Sequence, residues 1–366
     1  MNIGLIDADL LDKGTRHPNL ALMKISGYHL GVGDTTKLLE SYDNINNYDK
    51  VYISKVFKFT DVDENRIDFD HIVKGGTGFF ENNSPDLPEC IEHHKPDYNL
   101  YDEYVNKKLA SGIKRSHYKD YLDYSIGFTT RGCFRKCEFC VNNKYDRVVI
   151  HSPLNEFLDE KRPYINLWDD NFLAFKDWKK VLNELSETGK PFQFRQGLDI
   201  RLMTEEKAIE LSRSRYKGDF IFAFDFIKDR DLIVKKLKIW KKHIKKTTKL
   251  YVLTGYESQD IKDIENTLER IKILMKHGCL PYIMRYEDYT KSEFKSMYIQ
   301  LARWCNQPRF FKKMSFRQFA MANQKYHKNP KTKCSTMKVL DFFDESFPEL
   351  AKKYFDLRYE NLNLFN

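Results

Sequence analysis

The sequence predicts an α/β protein built on a partial (β/α)6 barrel, with a smaller α/β layer before it and a helical tail after it. Three observations predict this. From Tyr124 onward one unit recurs: a short apolar strand-like run, a polar turn, then an amphipathic helix, a rhythm that implies parallel strands. Ahead of it, residues 3–7, 51–56 and 71–74 read as strands, with a helical region over residues 19–40 after the first, which is the pattern of a Rossmann-like layer. Behind it, residues 291–366 are helical and basic. The expected domains are therefore residues 1–98 (layer and connecting loop), 99–290 (barrel) and 291–366 (extension).

In the N-terminal layer, Gly31 and Gly33 make a lone G-x-G inside the predicted helical region rather than after a strand, so it is not read as a nucleotide fingerprint. Residues 82–97 hold three prolines among polar residues and suit a connecting loop; residues 102–122 form a charged, tyrosine-rich bridge. The barrel strands are expected at residues 124–129, 164–168, 192–196, 220–224, 250–253 and 280–285. The helices between them carry ordinary punctuation. Thr204 precedes Glu205 and Glu206 as an N-cap with an acidic first turn, Gly189 follows a helix over residues 178–188, and Gly278 follows one over residues 261–277.

A chain of 366 residues buries a sizeable core without a disulfide framework. Its seven cysteines are an odd number, no signal-peptide pattern opens it, and no run of about eighteen apolar residues occurs. The expected compartment is a reducing cytoplasm, away from membranes, where clustered cysteines are metal or redox sites. The net charge of +9 favours anionic partners. The run Lys235, Lys236, Lys238, Lys241, Lys242, Lys245 and Lys246 is read first as a solvated helix face.

The strongest motif is Thr130-Arg131-Gly132-Cys133-Phe134-Arg135-Lys136-Cys137-Glu138-Phe139-Cys140, directly after the first barrel strand. Its C-x3-C-x2-C spacing puts three thiolates on one short loop, able to hold three corners of an iron–sulfur cube and leave the fourth iron open. Gly132 permits a tight turn, and Arg131, Arg135 and Lys136 favour thiolates. A Cys3His zinc knot completed by His151 is the alternative. The motif and its place resemble the radical S-adenosylmethionine (radical SAM) superfamily, in which C-x3-C-x-aromatic-C follows the first strand of a partial TIM-like barrel; the resemblance covers residues 124–286. It implies that Cys133, Cys137 and Cys140 ligate a [4Fe–4S] cluster, that the backbone of Phe139 lies near the adenine of S-adenosylmethionine, and that cleavage of this cofactor yields a 5′-deoxyadenosyl radical. It also implies an external one-electron donor such as a flavodoxin or ferredoxin.

In a β/α barrel, reactive groups gather at the C-terminal ends of the strands. Here the ends carry Asp169-Asp170-Asn171-Phe172, Gln196 with Asp199 and Arg201, Asp225, Gly255 with Glu257, and Arg285 with Tyr286. Asp169, Asp170, Gln196, Asp199, Arg201, Asp225, Gly255 and Glu257 are candidates for holding S-adenosylmethionine, because carboxylates suit its ammonium and ribose hydroxyls and an arginine fork suits its carboxylate. Asn171, Phe172, Arg285 and Tyr286 are candidates for the substrate. Any one of the aspartates could instead be a helix cap. Residues 169–172 and 196–201 resemble strand motifs of radical SAM proteins with a cobalamin-type domain, and residues 253–257 resemble the fifth-strand adenine motif. The layer lacks D-x-H-x-x-G, with Asp7-Ala8-Asp9 at the end of its first strand, so cobalamin is not expected.

Cys279 is expected to be buried and inert, while Cys90, Cys305 and Cys334 have no assigned role; His17, His93 and His94 are expected on surface loops. Three functions compete. The favoured one is hydrogen abstraction from a small polar substrate, with lyase chemistry, and the compact plan resembles the queuine lyases, which salvage a modified deazaguanine base. In that reading Asp199 or Asp225 holds the base edge and Tyr286 or Phe172 stacks on it. A tRNA-modifying enzyme is the second, drawing on Arg303, Arg309, Lys312, Lys313 and Arg317 interleaved with Trp304, Phe310, Phe311 and Phe316; the same pattern also describes an amphipathic helix packing its aromatic face. A noncatalytic electron carrier is the third. No residue is assigned the catalytic step.

Overall fold

The computed structural model describes the chain except residues 141, 143, 365 and 366 and the side chain of residue 82, so the end of the expected tail lies outside the described residues. The chain forms two compact units, Met1–Gln196 and Gly197–Asn366, and the division falls within the stretch assigned to the barrel.

The first unit opens with β1 (Asn2–Asp7), β2 (Thr35–Leu38), β3 (Lys50–Ser54) and β4 (Ile72–Gly75), paired in parallel in the order β2-β1-β3-β4. β1 is a central strand buried on both faces. Ile3 and Leu5 pack with Leu22, Met23 and Ile25 on one side, and Ile6 packs with Val51 and Ile53 on the other. One expectation is corrected here. The helix after β1 covers only Leu20–Gly31, and Thr35–Leu38 is a strand in register with residues 2–5. Gly33 stands just past the helix at φ +88°, a left-handed turn that stops it, and the β-branched pair Thr35 and Thr36 then extends along β1. The G-x-G is therefore a helix ending.

The same unit carries β5 (Tyr124–Gly127), the short antiparallel pair β6 (Thr130–Arg131) and β7 (Val149–Ile150), then β8 (Tyr164–Leu167) and β9 (Phe192–Phe194), with β5-β8-β9 a parallel sheet. The helix Trp178–Glu187 buries Trp178, Val181, Leu182 and Leu185, the i, i+3, i+4, i+7 stripe of a sheet-covering helix. Leu20, from the first layer, is buried with Tyr124 and Ile126 of β5, so the layer packs on this sheet.

The second unit holds β10 (Phe220–Ala223), β11 (Thr248–Thr254) and β12 (Leu280–Arg285) as a parallel sheet, with the helices Glu205–Arg213, Arg230–His243 and Ile261–Lys276 and a tail of helices from Lys295 onward. The six expected barrel strands are thus present as two three-stranded parallel sheets, and the described residues form no closed barrel. In Arg230–His243, Ile233, Leu237 and Trp240 face the core, while Lys235, Lys238 and Lys242 of the lysine run are exposed. Trp304, Phe311 and Phe316 are wholly buried, so these tail aromatics pack the core and are not offered to bases. Cys279, Cys305 and Cys334 are buried and Cys90 is exposed; burial pushes the Cys279 thiol up to about 12. No helix among the described residues is long and apolar enough to cross a membrane.

Asp7, at the end of β1, gives a test of this packing. It caps the next turn through the Leu10 N–H at 3.1 Å and accepts from the Tyr101 hydroxyl at 2.9 Å, yet burial raises its carboxyl from 3.8 to about 6. A folded-state value above the unfolded one favours folding while the group is protonated, and that contribution is lost as pH rises from near 4 through about 6. The gap is equivalent to roughly 3 kcal/mol. Asp7→Asn should therefore flatten the fall in thermal stability between pH 4.5 and 7.5, read by circular dichroism melts; parallel wild-type and variant profiles would count against it.

Candidate active site

The cysteine loop, residues 132–148, is pinned where it leaves and rejoins the sheet. Thr130 pairs with Ile150 and Arg131 with Val149, and the His151 N–H donates to the Thr129 carbonyl at 2.9 Å. Within it the Cys140 N–H donates to the Cys137 carbonyl at 2.9 Å, a turn that draws the last two cysteines together. All three cysteines are half-buried. Gly132 has φ +100°, and a Cβ there would lie 2.3 Å from the Arg147 carbonyl oxygen, so only glycine fits.

Three consecutive residues after β8 hold the approach to this loop and its first two residues. Asp169, wholly buried, accepts from the Thr129 N–H (3.1 Å) and hydroxyl (2.6 Å) and from the Thr130 N–H and hydroxyl (both 2.6 Å). Asp170 accepts the Gly132 N–H at 2.6 Å. The Asn171 amide donates to Cys133 Sγ at 3.3 Å. β5 and β8 are parallel neighbours, so their ends lie side by side, and the acidic end of one clamps the start of the loop on the other. Burial raises the Asp169 carboxyl above its ordinary value, against the pull of its four donors.

The donor chemistry fits an anionic sulfur-rich group. Backbone N–H groups of Arg135 and Asn142 point at Cys133 Sγ and Cys140 Sγ, each at 3.4 Å, and hydrogen bonds of this kind stabilise thiolates and the cluster they hold. Among the described residues no three Cys, His, Asp or Glu side chains stand as a closed metal-binding set. The zinc alternative loses its fourth ligand: His151 meets Ser152 Oγ through Nδ1 at 2.9 Å and Glu92 through Nε2 at 3.3 Å, with its ring stacked on His93. The loop cations have other partners. Arg131 lies over the Phe128 ring at 4.0 Å, Arg135 over Phe134 at 4.7 Å, and Lys136 pairs with Asp146 at 2.7 Å. Phe139 is half-buried on the loop.

Other candidates take different places. Phe172, expected to stack on a substrate ring, is wholly buried and stacked on Phe194 at 4.3 Å, because it begins the segment leading to the Trp178–Glu187 helix and packs in that core. Gln196 is exposed at the end of the first unit. In the second unit, Asp199 caps a turn through the Arg201 N–H at 3.1 Å, and Arg201 is held between Asp199 and Asp229, each at 2.8 Å, which raises its already high pKa. Asp225 is half-buried, and desolvation pushes its carboxyl up to about 6 against Arg270 and Arg201. The Gly255 N–H donates to Asp263 at 2.8 Å, as does the Tyr298 hydroxyl at 2.8 Å, so buried Asp263 shapes the turn after β11. Glu257 is exposed; Arg285 is exposed over the Tyr289 ring at 4.6 Å; Tyr286 meets Tyr256 edge-on at 4.9 Å. Asp263 escaped sequence reading because it lies on a helix, eight residues after the glycine it serves.

No protein-family model and no curated protein matches the sequence. Among solved structures, the chain is similar to Streptococcus suis SuiB, at 12% identity and a TM-score of 0.34, over 72% of this chain and 64% of that one. It is likewise similar to SuiB bound to the precursor peptide SuiA, at 12% identity and a TM-score of 0.35, over 72% and 65%. The chain thus spans less than two thirds of the length of the structures it matches, and a likeness at this level carries no functional argument.

Proposed function

We propose that this chain is a radical SAM enzyme in which Cys133, Cys137 and Cys140 hold a [4Fe–4S] cluster. The observation that supports it most is the clamp of Asp169, Asp170 and Asn171 on Thr129–Thr130, Gly132 and Cys133, which fixes a C-x3-C-x2-C loop at the end of a parallel strand. A cluster held by these three thiolates would supply the single electron needed to cleave S-adenosylmethionine to methionine and a hydrogen-abstracting 5′-deoxyadenosyl radical. The protein's part is to place and shield that chemistry. Asp169 and Asp170 are positioning residues in this reading, since their oxygens hold the loop. The remaining cofactor candidates, Gln196, Asp199, Arg201, Asp225, Gly255 and Glu257, are proposed for the nucleoside and amino-acid ends of S-adenosylmethionine, and Asn171, Arg285 and Tyr286 for the substrate.

The finer reading is a small polar substrate cleaved by lyase chemistry of the queuine-salvage kind. What supports it is the number of fixed polar groups at strand ends, as recognition of a small polar ring requires. Phe172 takes no part in it. The test is anaerobic reconstitution with iron and sulfide, then addition of S-adenosylmethionine and dithionite. Iron and sulfide in equal amounts and release of 5′-deoxyadenosine are expected, whereas stoichiometric zinc without iron would overturn the proposal. Offering free queuine and queuosine-containing tRNA in parallel tests the finer reading, because turnover of the tRNA alone would move it to RNA modification.

A further inference from the structure

We infer that one face of the β5-β8-β9 sheet is a binding site for a small molecule presenting oxygen acceptors, a carboxylate or ring carbonyls, and that the N-terminal layer supplies part of it. Strand alternation puts Asn166 and Trp168 on one face and Ile165 and Leu167 on the other. Asn166 is 0% exposed; its Oδ1 accepts from Gln193 Nε2 at 2.6 Å, while its Nδ2 has no acceptor among the described residues. The buried Trp168 Nε1 has none either. Each such donor costs about 1–3 kcal/mol if left unsatisfied, and native proteins rarely keep two together without something that accepts from them.

The neighbours on this face are polar and reach solvent: Arg195 and His17, both paired with Asp120. Arg195, two residues beyond Gln193, lies 3.3 Å from Asp120 and 3.2 Å from His17 Nε2. His17 Nδ1 meets Asp120 at 2.5 Å, and the His17 ring stands edge-on to Trp168 at 6.4 Å. The His17 and Arg195 side chains are 43% and 33% exposed, so the face runs from two buried donors outward to a partly open guanidinium. His17 comes from the loop before the Leu20–Gly31 helix, whose Leu20 is seated against β5. Two buried N–H donors with an arginine beside them match oxygen acceptors: the arginine takes a planar carboxylate or a carbonyl edge, and the indole and amide take further oxygens.

The site is built within the first unit and does not depend on the cluster reading, so it is tested on iron-free protein. The probe is the Trp168 indole N–H in ¹H–¹⁵N spectra, assigned with Trp168→Phe and titrated with hypoxanthine, benzoate and toluene. Hypoxanthine or benzoate should give a saturable shift and toluene, which has no hydrogen-bond acceptor, none. Asn166→Leu and Arg195→Met should each weaken the binding by about tenfold, the loss of roughly one charge-assisted or buried hydrogen bond. Arg195→Met, at a partly exposed position, keeps the test decisive where Asn166→Leu fails to fold. An indole signal that neither oxygen-bearing compound moves, or that toluene moves equally, would show a face that does not recognise oxygen acceptors and overturn the inference, leaving the cluster proposal untouched.

Discussion

Cys133→Ala protein, purified and reconstituted anaerobically, is expected to retain no stoichiometric iron–sulfur cluster and to release no 5′-deoxyadenosine above background. Ligand count decides the outcome. A loop offering three thiolates holds a cube at three irons, and removing one leaves a second iron open to water and loss. Cys137→Ala and Cys140→Ala should behave alike, while Cys90→Ala, at an exposed position, should match the parent. Asn171→Leu separates the ligand from its support: it keeps all three thiols but removes the 3.3 Å donor to Cys133 Sγ, so a loss of about 10- to 100-fold in activity is expected with much of the iron retained. The measurements are iron and sulfide analysis, visible absorbance and 5′-deoxyadenosine by mass spectrometry. Cys133→Ala protein with full iron and full activity would remove the basis of the proposed function.

Much of this arrangement was legible in the chain itself, and the reasons differ by element. Strands such as those expected at residues 164–168 and 250–253, observed as Tyr164–Leu167 and Thr248–Thr254, stand out because an apolar run between turn residues has few other ways to bury itself, and the cysteine loop because its spacing carries its chemistry. β2 was hidden. Its four residues follow a helix with only Val32, Gly33 and Asp34 between, and a helical pattern read across that turn runs straight through them. The acidic strand end was visible as a feature but not in its role, since a carboxylate that binds a ligand and one that holds a neighbouring loop look the same in one dimension. Only the pairing of β5 with β8 shows that Asp169 and Asp170 face backbone N–H groups. Phe172 was misplaced for a similar reason: aromatic character marks both a stacking platform and a core residue, and its contact with Phe194 decides for the core.

Asp169 carries the second large effect, and it is one of stability. Asp169→Ala would leave the Thr129 and Thr130 N–H groups without their acceptor in a wholly buried place, along with two hydroxyls that can turn elsewhere. At about 1–3 kcal/mol for each stranded amide, the loss is roughly 2–6 kcal/mol, a large part of what holds an ordinary domain together. For a unit of this size that lowers the melting temperature by roughly 5–20 °C. Asp169→Asn should fall between, because its carbonyl oxygen can still serve Thr130 while its amide opposes the Thr129 N–H. The clamp also predicts the order of events on heating: the loop it holds should lose protection with it, so in hydrogen–deuterium exchange residues 129–140 of the alanine variant should exchange faster than those of the parent well below the melting point. A melting temperature within a degree or two of the parent, with unchanged exchange over residues 129–140, would show that the loop is held by its own turns and that the carboxylate is free for other work.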